Sequence, residues 1–166
     1  MKLRSGEPWM PAPEYGRSLR GLTLNLLVRD ITAALAFHRE VLGADIVYSD
    51  PDFAVLRWEG PPEGRDGPRA AGPGRPGDLV EWMLHADHAY DKHPLHASLT
   101  GGLARGIGAE LRLHGRDPDD AEAAARRLGF TVLAPATDKP HGLREAYLID
   151  ADGYCWVPDM PVRGAI

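Results

Sequence analysis

Alternating apolar and polar residues predict a strand near the start of the chain. In GLTLNLLVRD the apolar side chains of one side fall at every second position, at Leu22, Leu24, Leu26 and Val28. Asp30 follows and can cap a helix, which Gly43 can end after about Leu42. This stretch therefore predicts a strand followed by a helix that covers its apolar side.

Three more strands are predicted before the middle of the chain. ADIVYSD and FAVLRWEG are rich in β-branched and aromatic residues, and Pro51 and Asp52 between them predict a hairpin. LVEWMLHA predicts the fourth strand. The segment Pro61–Asp78 precedes it and is rich in proline and glycine without periodicity. A loop of this length predicts either disorder or a functional flap.

The second half of the chain repeats this order. AELRLHGRD predicts a strand, and Asp117, Pro118 and Gly129 have the residue types that start and end a helix. FTVLAPA, LREAYLID and YCWVPD predict three further strands, with Gly153 in the turn DADG at a position that can need a positive φ. The chain thus predicts two successive βαβββ units.

Composition narrows the class of protein. The chain has 166 residues, of which 43% are hydrophobic and 26% charged, as in a globular protein with a buried core. A net charge of -5 without a Lys/Arg cluster argues against nucleic-acid or anionic-membrane partners. No run of 18 apolar residues predicts a membrane span. The lone Cys155 and the absence of a secretory leader favour a cytoplasmic location.

Two motifs resemble the vicinal oxygen chelate superfamily, which contains glyoxalases, bleomycin-resistance proteins and extradiol dioxygenases. LNLLVRDITAALAFHREVLGADIV resembles the opening strand and helix of that family, with His38 where the family usually has tyrosine. REAYLIDADGYCW resembles its closing strands, with Ala151 in place of a proline. The resemblance covers about residues 22–158. It divides the chain into a loose arm over 1–20, a first module plus connector over 21–100, and a second module over 101–166.

The resemblance implies an α+β fold in which two βαβββ modules form a half-open, barrel-like sheet with helices outside. It implies a small-molecule ligand on the concave side, between the modules, and a homodimer, because such modules often pair across a dimer interface. Alternation agrees: Leu111 and Leu113 would lie under the second helix, with the residues between them facing the ligand. The candidate ligand-binding residues are Thr23, Asn25, Trp58, Glu81, Met83, Glu110, Arg112 and His114.

Metal-bearing members of the family take ligands from the first and fourth strands of each module. The matching positions here are Thr23, Glu81, Glu110 and Val157. Two carboxylates do not supply the three or four donors that a transition metal needs. The expectation is therefore that no metal or other cofactor is bound. The alternative is a divalent metal held by Glu81 and Glu110, with His114 or Asp159 replacing a missing ligand.

Other candidate residues carry weaker signals. His85, His88, His93 and His96 could suggest a zinc site, but a solvated connector is the better interpretation, since Pro94 interrupts any helix there. Asp87 and Asp91 near His88 are weak evidence for a general-base pair. Trp156 should pack in the core, whereas Trp58 or Trp82 could line the cleft. Cys155 should be an unreactive thiol.

The resulting hypothesis is a metal-free small-molecule-binding protein of the bleomycin-resistance type, sequestering a hydrophobic or flat ligand. The sequence leaves open whether the chain is an enzyme, and it assigns no catalytic residue. One alternative is a metal-dependent glyoxalase-like lyase or isomerase, or a dioxygenase. Another is a metal-free enzyme in which Glu110 or His114 acts as the base. A fold cannot choose among these functions, because function depends on the site.

Overall fold

The computed structural model describes residues 10–60, 79–90, 92–100 and 105–162, so the predicted loop Pro61–Asp78 lies outside the described residues. Two βαβββ modules follow one another along the chain, as the sequence predicts. The first consists of β1 (Leu24–Val28), α2 (Ile31–Glu40), β2 (Asp45–Ser49), β3 (Phe53–Glu59) and β4 (Leu79–Ala86), and is preceded by α1 (Ala12–Ser18). A 3-10 turn (Asp87–Tyr90) and α3 (His96–Thr100) lead to β5 (Glu110–His114), α4 (Pro118–Arg127), β6 (Thr131–Asp138), β7 (Leu143–Ile149) and β8 (Cys155–Pro161).

Each module forms a four-stranded mixed sheet, and the strand orders are β1-β4-β3-β2 and β5-β8-β7-β6. β1 pairs parallel with β4 and β5 pairs parallel with β8, while the other pairs are antiparallel. Leu24 lies opposite Trp82 in the first module, and Leu111 lies opposite Trp156 in the second. These two pairs define which positions of the modules are equivalent.

Both long helices start with the capping chemistry that the sequence predicts, although α2 ends at Glu40 rather than at about Leu42. The Asp30 carboxylate accepts a hydrogen bond from the Ala33 backbone N–H at 2.8 Å. Asp117 accepts two such bonds at the start of α4. These bonds satisfy backbone donors that the first helical turn leaves without partners. In the DADG turn, Gly153 has a φ of +99°, as that turn predicts.

The inner sides of the two sheets share one hydrophobic core with α2 and α4. The rings of Trp82 and Trp156 lie 5.4 Å apart, and those of Phe37 and Phe130 lie 5.0 Å apart. Trp156 is therefore a core residue, as predicted. Trp58 and Trp82 also lie in this core rather than along a cleft, because their strand positions point to the helix side.

Hydrogen bonds between the backbone of the first module and side chains of the second also join the modules. Arg105, which precedes β5, donates to the Leu27 carbonyl at the end of β1 at 2.6 Å, and the Tyr154 hydroxyl donates to the same oxygen at 3.0 Å. The Arg29 backbone N–H donates to the Asp152 carboxylate at 2.8 Å. The end of β1 is thus held by the second module.

Two details near the start of the chain differ from the prediction. Leu22 was expected under the helix but is fully exposed, because β1 begins only at Leu24. Part of the segment predicted as a loose arm forms α1, and Tyr15 of this helix packs on an apolar surface of the first sheet. Across the described residues, no helix has the length and apolar character needed to cross a membrane.

Candidate ligand-binding faces

Each sheet has an outer face, which is the side opposite the shared core. Because side chains alternate along a strand, the neighbours of Trp82 and Trp156 point outward. The first outer face carries Asn25, Leu27, Phe53, Val55, Arg57, Glu81, Met83 and His85. The second outer face carries Glu110, Arg112, His114, Glu145, Tyr147, Val157 and Asp159.

An apolar cluster, separate from the shared core, covers the centre of the first outer face. Tyr15 of α1 packs there on Phe53 and Val55, and Met83 adds to the cluster. The rings of Tyr15 and Phe53 meet edge to face with centroids 6.1 Å apart, a favourable aromatic geometry. The first outer face is therefore an apolar surface that α1 partly covers.

Polar pairs border this apolar cluster. The Tyr15 hydroxyl donates to Glu81 Oε1 at 3.1 Å, and Arg57 Nη2 donates to Glu81 Oε2 at 3.2 Å. Burial raises the pKa of the Tyr15 hydroxyl, and the nearby Glu81 carboxylate raises it further. Asn25 Oδ1 lies 2.7 Å from Nδ1 of the buried His85. An apolar surface with a few fixed polar groups is the usual composition of a small-molecule site.

The second outer face is organised around one arginine. Arg112 Nη2 donates to Glu145 Oε1 at 3.0 Å and to Asp159 Oδ2 at 3.0 Å. Both acidic residues are only 1% exposed, so the guanidinium supplies the charge compensation that buried carboxylates need. Glu110, the neighbour of Arg112 on the same face of β5, makes only a longer contact of 3.4 Å with it.

Two histidines and a tyrosine complete this network. His114 Nδ1 lies 2.8 Å from Asp159 Oδ1, and His141 Nε2 lies 2.6 Å from Glu145 Oε1. The Tyr147 hydroxyl donates to Glu145 Oε2 at 2.8 Å. Burial alone would raise the pKa of Glu145, but the hydrogen bonds from Arg112, Tyr147 and His141 outweigh it and lower the pKa to about 2. The carboxylate therefore stays ionised far into the acidic range.

The candidate ligand residues of the sequence analysis divide between these faces. Asn25, Glu81 and Met83 lie on the first outer face, and Glu110, Arg112 and His114 lie on the second. Thr23 precedes β1 and is half-buried, while Trp58 lies in the shared core. Since each outer face lies on the far side of its sheet from the core, the two sets do not line one common cleft within the described chain.

The family model of the Glyoxalase/Bleomycin resistance protein/Dioxygenase superfamily matches residues 22–157, which include both modules. The chain belongs to this superfamily. A glyoxalase-related enzyme from Fulvimarina pelagi has a TM-score of 0.56 at 17% identity, over 86% of this chain and 88% of that one. A glyoxalase/bleomycin resistance protein/dioxygenase family enzyme from Burkholderia phytofirmans PsJN has a TM-score of 0.57 at 18% identity, over 84% and 97%. At these identities the likeness concerns the fold alone, and no curated protein matched significantly.

The strand register changes the assignment of the superfamily metal positions. Val157 is opposite Arg112 in β5, and the equivalent position in β4 is Met83, not Glu81. The four matching positions are therefore Thr23, Met83, Glu110 and Val157, of which only Glu110 carries a carboxylate or imidazole donor. This donor set does not fit a divalent metal, which needs three or four such ligands.

The histidine-rich connector is also resolved into separate contacts. His85 lies beside Asn25, and His88 Nε2 lies 2.8 Å from Asp52 Oδ1. Asp87 forms an ion pair with Arg105 rather than with His88, and Asp91 is outside the described residues. In the described part of the chain, no three His, Cys, Asp or Glu residues are grouped suitably for a metal ion.

His38 occupies an unusual place for a titratable residue. It is fully buried and contacts the rings of Trp82 and Trp156, at centroid distances of 5.8 and 5.3 Å. Neither ring nitrogen has a hydrogen-bond partner among the residues that the structure describes. Burial lowers the pKa of His38 to about 3, so the imidazole is neutral in the folded protein. The thiol of Cys155 is likewise perturbed by burial, which raises its pKa as expected for an unreactive cysteine.

Sequence reasoning missed several residues of both outer faces. Glu145 and Tyr147 alternate in LREAYLID and could have been placed on the outer face by strand parity. Asp159 was considered only as a substitute metal ligand, whereas it orients His114 and pairs with Arg112. No local signal connects Tyr15 to the first sheet, because its partner lies 66 positions away.

Proposed function

We propose that the protein is a metal-free small-molecule-binding protein of the bleomycin-resistance type, which sequesters a hydrophobic or flat ligand on the first outer face. The observation that carries this proposal is the apolar cluster of Phe53, Val55 and Met83 outside the shared core. The proposed location is therefore the surface of the first sheet that α1 covers, rather than a cleft between the modules.

Polar groups at the border of the cluster would orient the ligand. The Asn25–His85 pair and the Arg57–Glu81 pair stand at opposite levels of the same sheet face. A flat ring lying on the apolar side chains could reach one of these pairs with a single polar substituent. Such an arrangement supplies affinity from apolar burial and specificity from a few hydrogen bonds.

A flat, uncharged dye can test this site. Nile red should bind the full chain with a rise in fluorescence, and Met83→Glu should abolish that rise by placing a charge within the apolar cluster. Leu133→Glu is the matched control, because it introduces the same charge at an exposed leucine of β6. Dye binding that survives Met83→Glu, or that both variants lose equally, would contradict the proposed site.

A homodimer and a cytoplasmic location belong to the same proposal. Superfamily members are often dimers, and the lone Cys155 is compatible with a reducing compartment. Sedimentation velocity of the full chain at micromolar concentration should give the mass of two copies. A monomer under these conditions would remove the dimer from the proposal without affecting the ligand site.

A second candidate function is supported by the second outer face. His114 Nδ1 contacts the buried Asp159, and the His114 side chain is 69% exposed, so its other ring nitrogen is accessible to a substrate. A carboxylate that orients an imidazole is a common arrangement for a general base. In this alternative, a metal-free lyase or isomerase would use His114 to remove a proton from an acidic C–H.

Deuterium exchange would detect this activity. With hydroxyacetone in D2O, the protein should accelerate exchange at the carbon beside the carbonyl, and His114→Gln should remove the acceleration. Glu110→Gln is the control, since Glu110 makes only the longer contact with Arg112. Exchange no faster than in buffer would exclude His114 as the base for this class of substrate, and loss only in Glu110→Gln would transfer the role to Glu110.

A further inference from the structure

Tyr15 sits on the first outer face in the way a bound phenol would. The residue is only 8% exposed, and it is the one buried residue of α1. The ring contacts Phe53 and Val55, and the hydroxyl donates to Glu81 Oε1 at 3.1 Å. The sheet thus offers an apolar surface for a ring and a carboxylate acceptor for one donor at its end.

The acceptor is held in place independently of Tyr15. Arg57 Nη2 donates to the other oxygen of Glu81 at 3.2 Å, and Arg57 and Glu81 are register partners across β3 and β4. The carboxylate orientation therefore does not depend on α1. Because burial and Glu81 both raise the pKa of Tyr15, its hydroxyl stays protonated and acts as a donor.

The contacts of α1 suit a segment that can leave the sheet. The helix has seven residues, and its N-cap, Pro11, makes no side-chain cap hydrogen bond. Helices this short are marginal in water unless packing stabilises them. The cluster that holds Tyr15 is separate from the core shared by the modules. Release of α1 would therefore leave that core intact.

We propose that the surface under Tyr15 is a binding site for a small phenol, or for a similar flat aromatic ring with one hydrogen-bond donor, and that Tyr15 competes with this ligand from within the chain. The inference rests on the proposed function, since it names the ligand class of the first outer face. Phe53 and Val55 would contact the ring, and Glu81 would accept the donor. A ligand must displace Tyr15, so α1 sets the concentration at which binding begins.

The test uses 4-methylphenol, which reproduces the tyrosine side chain beyond Cα, and toluene, which lacks the hydroxyl. Titration calorimetry is done on the full chain as wild type and as Tyr15→Ala. Removal of the competitor should strengthen 4-methylphenol binding, and this variant should prefer 4-methylphenol to toluene by about tenfold or more, the value of a hydrogen bond to a charged group. Tyr15→Ala/Glu81→Met should lose that preference while it keeps the affinity for toluene.

The outcomes separate this inference from the proposed function. Equal binding of toluene and 4-methylphenol by Tyr15→Ala would overturn the phenol class, while a Met83-dependent Nile red signal would still support an apolar site. Binding of neither compound, with Nile red still bound, would also overturn the inference alone. If neither compound nor Nile red binds, both proposals fail.

A second variant covers the case in which Tyr15→Ala does not fold, which circular dichroism would reveal. Tyr15→Phe keeps the ring on Phe53 but removes the hydroxyl that occupies Glu81. It should therefore compete less well, and 4-methylphenol should bind it several-fold more tightly than the wild type. An affinity equal to that of the wild type would overturn the role of Tyr15 as a competitor.

Discussion

The two outer faces occupy equivalent positions in the two modules, yet their chemistry is opposite. Phe53 pairs with His85 in the first sheet, and at the equivalent level Glu145 pairs with Asp159 in the second. The first face has an apolar centre that α1 covers, whereas the centre of the second is a network of charges around Arg112.

The inner faces differ far less. Leu24 and Leu111 are equivalent, as are Trp82 and Trp156, and all four contribute to the shared core. A close-packed core restricts the size and polarity of inward side chains. Outward side chains are not restricted by the core, so the outer faces of the two modules can differ while both modules keep the same fold. The difference between the outer faces is therefore where functions specific to this chain are to be sought.

The largest expected effect concerns the charge network. Arg112→Leu would leave the buried Glu145 and Asp159 without their common cation, and loss of one partner from a buried ion pair costs about 3–5 kcal/mol. Urea unfolding should show this loss in the free energy of unfolding. The matched control is Arg144→Leu, because Arg144 also bridges two carboxylates, Asp119 and Asp138, but on the surface. Its loss should be much smaller. Equal losses would contradict the distinction between a buried and an exposed network.

The next largest effect is the pH dependence of stability that the buried His38 causes in the shared core. Because the folded pKa of His38 is about 3, below its usual 6.5, the unfolded chain binds this proton first as the pH falls. The contribution of neutral His38 is thus complete above pH 6.5 and declines below it by about 1.4 kcal/mol per pH unit, or about 2 kcal/mol at pH 5.

The substitution His38→Phe measures this contribution of His38 to the pH dependence of stability. The variant should be more stable than the wild type at pH 7.5, because two unpaired ring nitrogens are removed from the core. Its advantage should grow as the pH is lowered to 5, which urea unfolding at both pH values would measure. An advantage that stays constant between these pH values would contradict the burial of a neutral imidazole.

Strand alternation is enough to identify the inner faces, although Trp58 and Trp82 were expected along a cleft, whereas most of the outer contacts could not be predicted. Alternation in LVEWM places Trp82 on one side and Glu81 on the other without knowledge of the strand order. The partners of Arg112 depend on that order, since Glu145 and Asp159 lie 33 and 47 positions away. Such contacts require β5, β8 and β7 to be neighbours, which alternation within each strand does not specify.

The assignment of Glu81 as a metal position shows the same limit. A carboxylate in the fourth strand matched the expected residue type, but the position is fixed by pairing with the first strand. The register makes Met83 the counterpart of Val157 and moves Glu81 to the level of Cys155. The sequence places Glu81 on the outer side of the sheet, and the register adds that it lies two residues along β4 from the position equivalent to Val157.

A smaller effect on the free energy of unfolding is expected when acid protonates Glu145 on the second outer face. The pKa of Glu145 is lowered to about 2 from its usual 4.5, so its stabilising contribution is complete above pH 4.5 and declines as the pH falls towards 2. The comparison is made between His38→Phe and His38→Phe/Glu145→Gln, so that His38 does not add its own pH dependence. The difference between their free energies of unfolding should shrink by about 1.4 kcal/mol per pH unit below pH 4.5. The equivalent residue of the first face serves as the control: the cost of Phe53→Leu should not vary with pH. A constant Glu145 difference down to pH 3 would contradict the charge network.

The last prediction concerns metal ions, for which we expect no bound metal and therefore no effect of metal removal on stability. Thr23, Met83 and Val157 provide no carboxylate or imidazole, so Glu110 alone cannot hold a divalent ion in place. Protein purified without a His tag and dialysed should contain no stoichiometric Zn, Ni, Mn or Fe, and EDTA should leave its Tm unchanged, because a bound metal would add its binding energy to folding. Glu110→Gln provides the sharper comparison, since it should alter neither metal content nor the response to EDTA. A stoichiometric metal that is lost in Glu110→Gln or in Glu81→Gln would contradict this prediction. It would show that the first outer face of one copy and the second outer face of another combine into one metal site, so that the two faces would be the two halves of a metal centre.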